Sequence, residues 1–196
     1  MLVLKERLAA VPIMSLQTGS EIAQTVQPLI DPRQLTVVAF YCQGPRVGIN
    51  PAILHIDDIR ESGSLGFIVD SADVLMSPQD LVRLQQVIGF NFSLEGKLVI
   101  EENGHKIGKV TNYTTDLRSF YITQLEVQPS MWKSWGTAHV LIGRTQIIEI
   151  NDQKIVVRSA TEPVVTPKKI VENPFSTHRT QPEATHAHTD TARDKA

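Results

Sequence analysis

The chain has 196 residues, 41% of them hydrophobic, which is enough for one ordinary domain or two small ones with modest cores. Its 19 basic and 21 acidic side chains give a formal charge of -2, which excludes the strong electrostatic attraction of a protein that coats DNA. Cys42 is the one cysteine, so an intramolecular disulfide is excluded and a cysteine-based zinc site lacks ligands; a reducing cytoplasm is the simplest home.

From the N-terminus, MLVLKERLAAVPIM has its apolar letters interrupted by Lys5, Glu6 and Arg7. No window approaches the roughly 18 apolar residues of a membrane span, so no membrane insertion is expected. The runs LTVVAFY, AILHI and GFIV then alternate or stay short, each bounded by Gly, Pro, Asn, Asp or Ser, and read as strands. In SPQDLVRLQQVIGF, Ser77 can cap a helix, Pro78 suits its first position, and Leu81, Leu84, Val87 and Ile88 recur at helical spacing. This one short helix is expected to pack two strand-rich halves together. After it, KLVI, YITQLEV, AHVLIG, QIIEI and KIVVR again read as strands. From Val164 the chain is rich in Thr, Pro, Ala and charge, and has too little apolar surface to offset ordering entropy, so a disordered tail is expected. KKIVENPF, its last stretch with apolar letters, could order on binding.

The two halves repeat each other. Thr18 to Tyr41 lies over Asn103 to Glu126 at a shift of 85, matching Gly19 with Gly104, Ile22 with Ile107, Asp31 with Asp116 and Arg33 with Arg118. DIRESGSLGFIVDSA, from Asp58, lies over QIIEINDQKIVVRSA, from Gln146, at a shift of 88. Two collinear ungapped blocks mark a duplicated unit. Within it, Gly19 and Gly104 stand where a tight turn enters a strand. DPRQ and DLRS make the hairpin turns, with Asp at the first position and Pro32 presetting the next. Phe120 and Ile122 share one alternation phase and Leu125 and Val127 the other, which predicts a bulge near Thr123.

NGHKIGKVTNYTTDLRSFYITQLEV, followed by QIIEINDQKIVVRS, resembles the PRC-barrel family. The first copy resembles it more distantly, with Ala23 in place of Gly108 and Gln24-Thr25 in place of Lys109-Val110. The fold class is therefore all-β: two small PRC-type barrels in tandem joined by a short helix. Residues 1–11 form an N-terminal extension, 12–76 and 95–163 the two barrel-like repeats, 77–94 the helix and connector, and 164–196 the tail. The resemblance implies a fold more than an activity. Members occur in the reaction-centre H subunit, in RimM-type ribosome maturation factors, and in sporulation-associated and archaeal cell-division proteins, where the barrel holds another protein. No catalytic residue or cofactor is implied.

The residues themselves agree with a binding role. His55, His105 and His139 are scattered, and His178, His186 and His188 fall in the tail, with no ligand spacing that points to a metal. Cys42 has no activating base nearby in sequence and reads as an apolar filler. Asp57, Asp58 and Glu61 lack calcium-loop spacing and read as a solvated turn. QPSMWKSWG carries Met131, Trp132 and Trp135, the chain's only tryptophans, and is the candidate protein interface. The same aromatics could instead seal the open end of a barrel. The expected function is a non-enzymatic, cytoplasmic protein-interaction adaptor with a partner of unknown identity. The alternative is a RimM-like maturation factor whose partner is a small-subunit ribosomal protein.

Overall fold

A computed structural model of the chain describes residues 1–45, 47–129 and 139–159. The strands are β1 (Leu2–Leu4), β2 (Pro12–Ser15), β3 (Ser20–Asp31), β4 (Thr36–Gln43), β5 (Ala52–His55), β6 (Glu61–Gly63), β7 (Gly66–Val69) and β8 (Leu75–Met76) in the first half. After helix α1 (Val82–Phe90) come β9 (Leu98–Glu101), β10 (Lys106–Asp116), β11 (Ile122–Pro129), β12 (Val140–Gly143), β13 (Ile147–Ile150) and β14 (Lys154–Val157). Among the described residues, no helix is long and apolar enough to cross a membrane.

The first sheet has the order β6-β7-β2-β3-β4-β5-β8; the second runs β13-β14-β9-β10-β11-β12, with β1 added to β10. Among the described residues, neither sheet closes on itself. With β8 and β1 set aside, the two orders coincide strand for strand. The registers coincide too. The parallel pair Ile13 with Phe67 in the first sheet has its counterpart in Val99 with Ile155. Each long hairpin carries two bulges, at Val26 and Val38 in the first copy and at Thr111 and Thr123 in the second. The bulge expected at Thr123 is present, and it turns Phe120, Ile122, Leu125 and Val127 all inward despite their change of phase. Bulges at matching places bend both hairpins alike, as a barrel-like curl requires.

The turn chemistry recurs for the same reason. Gly19 and Gly104 have φ of +60° and +86°, which glycine adopts without a Cβ clash. The carboxylates of Asp31 and Asp116 accept the backbone N–H of Arg33 (2.9 Å) and Arg118 (3.2 Å), closing the two hairpin turns. Arg33 also grips Asp31 with its side chain, which holds that carboxyl below the usual range.

Helix α1 does not pack the halves together. Ser77 caps a short 3-10 turn, Pro78–Asp80, and α1 follows from Val82. Leu84 and Val87 then bury against Leu29, Ala39 and Ile53 on the outer face of the first sheet. Arg33 stacks over Phe90, 5.4 Å from its centroid, and bonds Gln86 at 3.0 Å, pinning the helix to the β3–β4 turn. The reason is compositional: the second sheet has Thr114, Gln124 and Leu141 at the positions of Leu29, Ala39 and Ile53, a more polar face.

The N-terminal segment is anchored at Thr25, whose hydroxyl donates to the Leu8 carbonyl (2.7 Å) and accepts from Val11 N–H (2.9 Å). Thr115 is different: it is fully buried and its hydroxyl has no partner among the described residues, while its counterpart in the first copy is Ile30. A buried unpaired hydroxyl costs about 1–3 kcal/mol. Thr115→Val is therefore expected to raise stability by roughly 1 kcal/mol, read as a higher urea midpoint at unchanged slope.

Candidate functional site

The halves meet edge to edge at an isolated antiparallel bridge between Thr36 and Tyr121. Val37 N–H donates to the Phe120 carbonyl (2.9 Å), and Ile122 N–H donates to the Leu35 carbonyl (3.0 Å). At the shift of 85 Thr36 faces its own equivalent, Tyr121, and the two hydrogen bonds are each other's counterparts, since Val37 corresponds to Ile122 and Leu35 to Phe120. That is the signature of an isologous contact about an approximate two-fold axis.

Leu35 and Phe120 adopt left-handed backbone, with φ of +48° and +56°. A residue with a Cβ resists this by about 1–2 kcal/mol, and such strain persists only where the surroundings hold it. Here both carbonyls accept a hydrogen bond from the opposite half, and both side chains are buried. Phe120 lies against Phe40 and Phe67 of the first half, with centroids at 6.1 and 6.2 Å, while Phe40 and Phe67 are 5.1 Å apart. One hydrophobic core therefore runs through both halves.

Two clefts flank the seam and are also counterparts. One, of about 440 Å³, lies between the turn at 32–35 and Arg144 with Ile147–Ile150. The other, of about 600 Å³, lies between the turn at 117–120 and the segment from Ile56 to Ser62. Their chemistry differs: the first exposes Ile148 (50%), whereas the second offers Asp57, Arg60 and Glu61. Tyr121 stands exposed at the seam.

Arg144 is the asymmetric element. Its guanidinium donates to the carbonyls of Leu35 (2.8 Å) and Gln34 (2.5 Å) and lies over the Tyr121 ring, 4.6 Å from the centroid. Its counterpart is Ile56, which can do none of this. Arg144→Ala is expected to cost about 1–2 kcal/mol in a urea titration, given that bonds to charged groups contribute about 1.5–3 kcal/mol and part of the group faces water. Arg144→Lys should rescue little, because an ammonium lacks the planar fork that reaches both carbonyls while laying its flat face over the Tyr121 ring.

The sequence-derived interface residues Met131, Trp132 and Trp135, and the tail from 164, lie outside the described residues. The flanking strand ends are described. Val127 pairs with Val140 at the loop's root, and Gln124 with Gly143 beside the seam. The Val127–Val140 and Gln124–Gly143 pairs thus mark opposite ends of the β11–β12 ladder, the second of them next to the seam. Cys42 is buried, its thiol donates to the Phe40 carbonyl at 3.3 Å, and burial pushes its pKa up to about 12, so no thiolate forms at neutral pH. His55 accepts the Asp57 N–H at 3.2 Å, which orders the acidic turn locally. Among the described residues, no group of three His, Cys, Asp or Glu side chains is placed to hold a metal ion.

The sequence missed the seam: Leu35, Thr36, Phe120, Tyr121 and Arg144 come together from segments about 85 to 110 residues apart, and no local pattern marks them.

Fold and seam together define a half-open β-barrel unit occurring twice, fused through one core. Residues 90–162 match the family model described as the PRC-barrel domain. That match covers the second half; the equivalence of the first half rests on its strand order, registers and bulges. No curated protein matches the chain.

Proposed function

We propose that the chain is a non-enzymatic adaptor in the cytoplasm, which uses two PRC-type units as one rigid body to hold a protein partner. The observation that carries this reading is the shared core with its isologous seam, which fixes the two halves and leaves paired clefts of unlike chemistry on either side. A rigid body with dissimilar faces can orient a partner as well as hold it, because little ordering entropy is lost on binding. The loop bearing Trp132 and Trp135 supplies the aromatic anchors, since Trp is enriched among the residues that dominate interface energetics.

The test begins with affinity capture from native lysate, comparing the intact chain with Trp132→Ala/Trp135→Ala and with Ile148→Asp. The captured protein is then purified and its binding measured by calorimetry. One stoichiometric partner that the intact chain binds and a folded variant loses supports the adaptor and assigns the face. Turnover of a small molecule with no partner present would sink it. Co-sedimentation with small-subunit ribosomal precursors would transfer the role to ribosome maturation of the RimM type.

A further inference from the structure

In the first sheet the edge of β5 is covered: β8 pairs with it, Ile53 opposite Met76 and Leu54 opposite Leu75, and Leu75 is buried. The counterpart of β5 is β12, with Leu141 and Ile142 at the positions of Ile53 and Leu54, paired to β11 in the matching register. Among the described residues, nothing pairs with the other edge of β12. Beyond Ser159-Ala160, which repeats Ser71-Ala72, the sequence continues with Val164-Val165-Thr166-Pro167. It repeats Leu75-Met76-Ser77-Pro78 with a single inserted residue.

We propose that residues 164–166 dock on the edge of β12 as a short antiparallel strand, Val165 opposite Leu141 and Val164 opposite Ile142. Three observations support this occupant. First, the repeat places apolar, apolar, hydroxyl and Pro in the same order at the same point of the unit. Second, the reach is sufficient. In the first half the chain passes from the end of β7 to Leu75 through the turn Ala72–Val74; in the second it leaves from the end of β14, the equivalent strand, with one residue more. Third, the edge offers a row of backbone donors and acceptors beside a buried Ile142, and strand addition satisfies the row while an apolar side chain covers the core. The interaction ties the start of the tail to the second sheet, at the strand whose other end roots the Trp132 loop. It thereby sets which part of that sheet a partner can reach.

The test uses the full chain with Cys42→Ser. Leu141→Cys combined with Val165→Cys is expected to form an intrachain disulfide on mild oxidation, as the control Ile53→Cys with Met76→Cys should. An interchain disulfide would give the edge to a second copy and overturn the proposal, as would no crosslink where the control pair reacts. Hydrogen exchange checks the point without introduced cysteines. Val164→Asp/Val165→Asp is expected to speed exchange of the β12 amides by about tenfold or more while β5 stays protected. Unchanged protection of β12 would refute it.

Discussion

Phe120→Ala is expected to lower the unfolding free energy by about 3–5 kcal/mol, the usual range for emptying a buried phenylalanine site. The ring is 8% exposed and sits between Phe40 and Phe67, which belong to the other half of the chain. Deleting it opens a cavity where the two halves share their core, and the left-handed φ of +56° then loses part of the packing that holds it. Against a total stability of about 5–15 kcal/mol, the loss should lower Tm by roughly 10 °C or more. The location of the damage is more informative than its size. In the intact protein, urea-dependent hydrogen exchange should give Ile13 in the first sheet and Val99 in the second the same unfolding free energy, because one core serves both. In the variant, the two sheets should open at different urea concentrations. A loss below about 1 kcal/mol would show that the Phe120 ring does not hold the shared core together, and transitions that stay coincident would show that the coupling of the halves does not depend on this ring.

The readable part of this fold was the repeated unit, and the structure explains why. Gly19, Gly104, Asp31 and Asp116 do local work, supplying left-handed turns and carboxylates that accept a nearby N–H, so their identity survives in the sequence. The bulge at Thr123 was readable because a change of alternation phase has no other simple cause. The helix was readable as a helix but not in its placement. Its apolar face is met by Leu29, Ala39 and Ile53, and choosing the first sheet over the second depends on residues 30 to 60 positions away. The seam left no trace at all. Leu35 and Phe120 are left-handed without being glycine, and the hydrogen bonds that hold them come from the opposite half. The addition of β1 to β10 was equally hidden, since three residues, Leu2 to Leu4, are too few to show a period. The candidate loop around Trp132 was legible only as composition, a cluster of rare aromatics between two strands.

Gly108→Ala is expected to destabilise the protein by more than about 3 kcal/mol, beyond the usual 1–3 kcal/mol of overpacking, because the added methyl meets backbone and not a movable side chain. A Cβ at Gly108 would collide with the carbonyl of Gln128 and press on Pro129 Cα at 2.9 Å. The first copy has solved the same crowding the other way round. Ala23 occupies the position of Gly108, and Gly44 occupies the position of Pro129; there, a Cβ on Gly44 would fall 2.7 Å from Ala23 Cα. Each hairpin therefore has one glycine at this crossing, on opposite strands in the two copies, and a glycine at 129 would free the 128–129 backbone to shift away from a methyl added at 108. Two outcomes follow for urea titrations of Gly108→Ala, Pro129→Gly and the double variant. Pro129→Gly alone should cost about 1 kcal/mol, through greater freedom of the unfolded chain. The double variant should be more stable than Gly108→Ala alone, with a coupling of at least about 1 kcal/mol between the two sites. Strictly additive losses would mean that the crossing is not interchangeable between the copies, and that Gly108 is required by the strand geometry of the second half alone.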